Sequence, residues 1–219
     1  MTNFSQFENL ITHHTALEKT DFVPEIILYQ ASEITPIWQV TESWLNHQNI
    51  EPPFWAFAWP GGKAIARYIL DNPKLVKDKK VLDFAAGCGI AAIAAAKSGA
   101  AYIEVADIDP LAQKSCALNA KVNHVLLDKN SNDVVGQACA WDIIFCGDVC
   151  YEAPMTQHIW PWLKECAKQG ATVFIADPGR SYLPKKELTP VCTYDIPTTL
   201  ELEDCQLRKT VLYQINISQ

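Results

Sequence analysis

The chain has 219 residues, a formal net charge of −7, 49% apolar residues and 20% charged residues, the profile of one globular α/β domain with an N-terminal extension. That acidic balance argues against a general binder of nucleic acid or of membrane surfaces. Eight scattered cysteines without a C-x-x-C pair argue against zinc and against a disulfide framework. The N-terminus lacks a signal-peptide pattern and no apolar run is long enough to span a bilayer, so a cytoplasmic protein is expected.

In chain order, residues 4–19 predict a polar helix with Phe4, Phe7, Leu10, Ile11 and Ala16 on one side. His13 and His14 are adjacent, so they face different directions on that helix and share no metal. Pro24–Gln30 holds a short apolar run suited to a strand, and a second helix runs from Thr35 or Pro36 to His47. Residues 1–50 are thus an extension packed on a core of residues 51–219.

Next comes Phe54-Trp55-Ala56-Phe57-Ala58-Trp59-Pro60-Gly61-Gly62, four aromatics crowded before a helix that starts at Pro60 and ends near Asp71. The plain reading is an apolar lid over the sheet. The functional reading sets Trp59 against a cationic ligand, an interaction worth about 1 kcal/mol.

Val81–Phe84 predicts a short buried strand, Gly87-Cys88-Gly89 a turn with bare backbone, and Ile90–Ser98 an alanine-rich helix closed by Gly99. A second strand, Tyr102–Ala106, ends in Asp107. Strand, glycine turn, helix, strand and acid hold a nucleoside in a doubly wound sheet, with the second acid on the ribose hydroxyls. Gly87–Ala92 also meets the G-x-G-x-x-A dinucleotide fingerprint, a weak signal by itself. Asp83 tips the choice: a carboxylate at the mouth of the turn repels a pyrophosphate but suits a ligand carrying an ammonium and a sulfonium.

Asp109 and Pro110 then cap a helix running to Val122. His124–Leu127 predicts the third strand, and Asp128–Gln137 a polar loop where Asn130 could flank an adenine. The fourth strand, Trp141–Cys146, ends in Gly147-Asp148-Val149-Cys150-Tyr151, a D-x-x-Y pattern at the strand end where chemistry belongs in this architecture. Its rival reading is a solvated turn in which Asp148 caps the next helix, Met155–Ala167. Ala171–Ala176 is the fifth strand and runs into Asp177-Pro178-Gly179-Arg180. Cys192–Ile196 and Lys209–Ile217 form an antiparallel edge pair that completes a seven-stranded, doubly wound, Rossmann-like sheet.

The combination F-W-A-F-x-W-P-G-G, V-L-D-x-x-x-G-C-G, D-I-D-P and G-D-x-x-Y resembles the class I, seven-β-strand protein lysine methyltransferases that use S-adenosyl-L-methionine. Among them it is most similar to the electron transfer flavoprotein β-subunit lysine methyltransferases and their bacterial relatives, over about residues 50–217. The resemblance implies that Trp59, Gly61, Asp83, Gly87, Gly89 and Asp107 carry the cofactor; Ala85, Cys88, Ile108 and Asn130 complete the expected shell. It implies that Asp148 and Tyr151 face the substrate nitrogen, with Phe57 and Arg180 at the substrate rim. The turn Phe84-Ala85-Ala86 departs from relatives that often carry more glycine or serine there. The implied reaction is in-line displacement by a lysine amine of electron transfer flavoprotein β-subunit, without a metal, a nucleic acid or a membrane. Alternatives are a methyltransferase of another protein or small-molecule nitrogen, like the ribosomal protein L11 enzyme, an NAD-dependent oxidoreductase, and a non-catalytic cofactor-binding module.

Overall fold

A computed structural model describes residues 4–31, 53–130 and 133–216; the helix expected between Thr35 and His47 lies outside them. Seven strands form the main sheet: β3 (Lys80–Phe84), β4 (Tyr102–Ala106), β5 (Asp128–Asn130), β6 (Ile143–Gly147), β7 (Thr172–Asp177), β8 (Leu188–Pro197) and β9 (Leu207–Ile215). Their order is β5-β4-β3-β6-β7-β9-β8. β9 inserts between β7 and β8 antiparallel to both, so the remaining strands run one way. The central strands are apolar on both faces because helices cover both. The order reverses between β3 and β6, and a crevice opens at the carboxyl ends of those two strands.

Side-chain alternation sorts the core into two layers. On one face α2 (Pro60–Asp71) and α3 (Ile90–Lys97) pack Ile65, Ile69 and Ile93 onto Val81, Phe145 and Phe174. The rings of Phe145 and Phe174 stack there at 5.5 Å. On the other face α5 (Ala153–Lys168) packs Ile159, Trp162 and Leu163 onto Leu82, Ile144 and Ile175. Asp83, two residues beyond Val81, therefore points to the α2–α3 side.

At the N-terminus, α1 (Phe4–His14) stops earlier than the apolar spacing predicts, and Ala16–Lys19 becomes strand β1 paired with β2 (Ile27–Gln30). Thr15 turns its hydroxyl back to the Ile11 carbonyl at 2.6 Å, and the hairpin ladder then decides the conformation that propensity left open. Helix α4 (Pro110–Val122) anchors this region. Its Leu111 and Leu118 pack on Leu10 and Ile11, and Lys114 pairs with Glu8 at 2.7 Å. Asn119 on α4 and Asn123, one turn later, accept the Tyr29 and Ile27 amides at 2.8 and 3.1 Å, satisfying backbone donors of β2.

The third strand lies later than expected. His124 takes a left-handed φ of 57° and the Val125 amide donates to the Ala120 carbonyl, so His124–Leu127 serves to close α4. The short ladder beside β4 falls to Asp128–Asn130, with Ala106 opposite Asn130. Val125 and Leu127, read as strand residues, pack on the core from this turn.

Candidate active site

Each predicted acid stands at the carboxyl end of a strand. Asp83 lies near the end of β3 almost fully buried, and one carboxylate oxygen accepts the Ala92 amide of α3 at 2.9 Å. Burial pushes its pKa up to about 7; the Ala92 N–H opposes the rise and the charge of Asp107 adds to it. Asp107, just past β4, accepts the Gly87 amide at 2.9 Å and the Asp109 amide at 3.0 Å, lacing the glycine turn to the next strand. Its pKa is also raised by burial, against those two N–H groups. Asp109 caps α4 through the Leu111 amide at 2.8 Å, as its spacing predicts.

Ala85 and Gly87 both take left-handed φ values, 52° and 53°. For Ala85 this costs on the order of 1–2 kcal/mol, a strain that the surrounding packing offsets. Gly89, at φ 76°, is the N-cap of α3; it shapes the turn but does not line the cavities described below. The Cys88 side chain is buried, with its thiol pushed up to about 12 by desolvation, so it is an inert wall.

The second half of the site depends on close-packed glycines. A Cβ on Gly61 would stand 2.5 Å from both the Ala176 carbonyl oxygen and an Asp148 carboxylate oxygen; one on Gly147 would stand 2.8 Å from the Gly62 amide nitrogen. Without side chains there, the N-terminus of α2 docks onto the ends of β6 and β7. The Gly61 amide then donates to Asp148 at 2.5 Å, a carboxylate at a helix N-terminus. Gly61, expected in the cofactor shell, thus holds Asp148 and is absent from the cavity walls, whereas Gly62 lines one.

Asp148 is buried, with φ 56°, and receives Arg180 Nη2 at 3.1 Å on its other oxygen. Desolvation raises its pKa to about 7 against the pull of Arg180 and the Gly61 N–H. It is not the cap of the next helix: α5 begins after Glu152, extending farther at both ends than predicted. Arg180, expected at the substrate rim, lines the cavity and is held there between Asp148 and Glu203.

A cavity of about 670 Å³ joins these groups, within the range of about 300–1,000 Å³ usual for small-molecule sites. Ala85, Gly87, Asp107 and Ile108 line one part, and Asp148, Tyr151, Glu152 and Arg180 another. A small recess beside it is lined by Asp83, Cys88, Gly62 and Phe57, with Trp59 and Gly87 shared between the two. Trp59 is fixed by its indole N–H on the Phe54 carbonyl at 2.8 Å, and its ring lies edge-on to Phe54 and Phe57 at 5.9 and 6.1 Å.

Phe57 is not at the rim. It is buried under Trp59, while Phe54 takes the rim position against Tyr151 at 5.7 Å. Backbone accounts for the swap: Phe54 opens a 3-10 turn, whereas extended Phe57 points back into the α4 layer with Leu111 and Ala112. Ile108 is 71% exposed at the cavity mouth, and Asn130 ends the edge strand β5 opposite Ala106. Asp133, Val134, Met155 and His158 also line the cavity, and none is a site residue in the sequence pattern; His158 meets Asp133 at 2.9 Å. Met155, His158 and Ile159, three to four residues apart on α5, bring one face of that helix to the crevice.

Set against known proteins, residues 66–176 match the family Ribosomal protein L11 methyltransferase (PrmA). The chain is similar to the electron transfer flavoprotein beta subunit lysine methyltransferase of Xenopus laevis, at 33% identity over 94% of this chain and 85% of that protein. It is similar to the same enzyme of Danio rerio at 31% identity, over 95% of this chain and 83% of that protein. Among solved structures, magnesium protoporphyrin IX methyltransferase of Synechocystis PCC 6803 with bound SAM superposes at a TM-score of 0.52 and 14% identity, covering 71% of this chain and 78% of that one. That last likeness is one of fold.

Proposed function

The chain belongs to the family of electron transfer flavoprotein β-subunit lysine methyltransferases, and we propose that it transfers a methyl group from S-adenosyl-L-methionine to a lysine amine of that flavoprotein subunit. The observation that carries this reading is one crevice in which Asp83 and Asp107 flank a glycine turn while Asp148, Tyr151 and an aromatic wall stand across from them. Relatives bearing that name match nearly the whole chain, whereas the L11 family match covers residues 66–176, which favours the flavoprotein subunit over the ribosomal protein.

The donor set fits the cofactor. Asp107 uses one lone pair of each oxygen on backbone N–H groups and keeps the others for a diol. Asp83, in the recess under Trp59, suits an ammonium, and exposed Ile108 offers an apolar surface for a base. Gly87 leaves open space where a Cβ would stand. When bound, the cofactor supplies an electrophilic methyl group on a good leaving group.

The chain's own residues handle the acceptor. A free lysine has a pKa of about 10.4, so nearly all of it arrives as ammonium at pH 7. The carboxylate of Asp148 attracts and orients that ammonium; Trp59, Phe54 and Tyr151 exclude water, which favours the neutral amine. With its own pKa raised to about 7, Asp148 can hold the departing proton before passing it to solvent. Orientation then supplies most of the rate. No basic stripe suited to phosphates is read in this acidic chain, which favours a protein acceptor. The eight scattered cysteines, with no C-x-x-C pair, favour a reducing, cytoplasmic setting.

The test is to incubate the protein with methyl-labelled cofactor and a lysate from cells lacking its gene. One labelled protein is expected, the flavoprotein β-subunit, with label lost when its exposed lysines become arginine. Label in RNA, in a ribosomal protein or only in small molecules would overturn the acceptor. Asp148→Asn should keep S-adenosylhomocysteine affinity while transfer falls roughly a hundredfold; loss of both together would put Asp148 in the cofactor shell.

A further inference from the structure

Arg180 divides its guanidinium unequally between two carboxylates. Nη1 meets Glu203 at 3.2 Å and Nη2 makes a second, short contact with the same carboxylate, so the planar fork is aimed at Glu203. Asp148 receives only one edge of that fork, at 3.1 Å. Glu203 lies on α6 (Leu200–Glu203) in the β8–β9 connection, its side chain only 1% exposed, with Arg208 Nε of β9 3.0 Å from its second oxygen. A buried carboxylate in such a place needs a reason, because leaving it unpaired is costly. Arg180 is itself delivered by a turn in which one oxygen of buried Asp177 accepts both the Gly179 and the Arg180 amides at 2.6 Å.

We propose that Glu203 is a positioning residue for Asp148: by engaging the fork of Arg180 it prevents a bidentate Arg180–Asp148 pair and leaves the Asp148 carboxylate available to the substrate amine. This rests on the methyltransferase reading above. The groups facing Asp148 are Arg180 and Asp177 from the β7 turn, Glu203 from α6 and the N-terminus of α2 at Gly61; Cys150, Tyr151 and Glu152 follow on its own turn. Glu203 and Asp177 raise the Asp148 pKa and Arg180 lowers it, so the two ends of the chain of charge act in opposite directions.

The experiment follows the side-chain 13C signal of Asp148 through a pH titration of the unliganded protein, assigned with Asp148→Asn, in wild type, Glu203→Gln, Arg180→Gln and Arg208→Gln. Glu203→Gln removes charge while keeping shape, so the midpoint should fall by about one unit; Arg180→Gln should raise it by about one unit. Arg208→Gln, at a part-exposed residue that threatens folding least, strengthens the hold of Glu203 on Arg180 and should also raise it. In methyl transfer, kcat of Glu203→Gln should fall roughly tenfold or more with S-adenosylhomocysteine affinity unchanged, and the acid limb should move with the NMR midpoint. Shifts of one common direction, or no shift in Glu203→Gln and Arg208→Gln, would overturn the proposal. Because the NMR midpoint needs no acceptor, failure of the network is distinguishable from failure to find a methylated protein.

Discussion

Replacing Asp83 by asparagine separates what this carboxyl does for the fold from what it does for the ligand. The amide keeps the shape and can still accept the Ala92 N–H, so the change is mainly one of charge. In the folded chain the Asp83 pKa is raised from 3.8 to about 7 by burial, reinforced by Asp107. The sign follows: a carboxyl whose folded pKa lies above its unfolded value binds a proton in the native state that the unfolded state has released. Its contribution to stability is therefore present at low pH, is lost as pH rises from about 4 to about 7, and is flat above that. The full shift corresponds to at most about 4 kcal/mol, an upper bound because relaxation of the site around a charged carboxylate reduces it.

The substituted amide cannot titrate, so Asp83→Asn should gain on wild type across that window, with a ceiling on the order of 10 °C in Tm near pH 8 and little difference near pH 4. Binding should move the other way. Loss of a charged hydrogen bond worth about 1.5–3 kcal/mol weakens S-adenosylhomocysteine by roughly tenfold to a hundredfold. Thermal melts from pH 4 to pH 9, paired with calorimetric titration, read both effects. A stability difference independent of pH, or an Asp83→Asn variant binding as tightly as wild type, would refute the placement of an ionisable Asp83 under the ligand.

Asp107→Ala removes the acceptor for the Gly87 and Asp109 amides as well as the diol partner, so it should weaken S-adenosylhomocysteine at least tenfold by calorimetry. Gly61→Ala forces a Cβ to within 2.5 Å of the Ala176 carbonyl and of Asp148; α2 must shift, and both Tm and methyl transfer should drop, where an unaltered variant would show that the close approach is relaxed in solution. Phe54→Ala strips the rim aromatic from Trp59 and Tyr151 and should raise KM for the protein acceptor more than it changes cofactor affinity, measured by initial rates.

Local signals carried most of the fold. The buried strands leading into Asp83 and Asp107, the Asp109–Pro110 cap and the Trp59–Pro60 helix start all depend on neighbours within a few residues and lie where their spacing put them. The strand before Asp148 begins at Ile143, two residues later than expected, and runs to Gly147. The misses depend on distant partners. Ala16–Lys19 became a strand because β2 pairs with it, and Asp128–Asn130 took the ladder because His124 and Val125 were used to close α4. Phe54 and Phe57 carry the same side chain three residues apart; only the 3-10 turn decides which one reaches the rim. Arg180 was read in its turn without Glu203, because a carboxylate in the β8–β9 connection leaves no local pattern.

The site itself is under-neutralised, and that links its parts. Asp83, Asp107, Asp148 and Asp177 all have raised pKa values, burial being the first cause for each. Among the described residues the cation in contact with Asp148 is Arg180, and it is shared with Glu203. Holding so many carboxyls against desolvation opposes folding above neutral pH, as the sign worked out for Asp83 requires. The same imbalance favours binding when a cation enters, since each positive group that reaches the crevice offsets part of the desolvation already incurred. In the proposed reaction, an ammonium near Asp83 and a lysine amine near Asp148 are two such groups. Prior occupation of the Asp83 end then lowers the repulsion among the remaining carboxylates and weakens, rather than strengthens, the electrostatic pull on the second cation. Under the proposed reading, acceptor capture by Asp148 accordingly depends on its own geometry, through Gly61, Arg180 and Glu203.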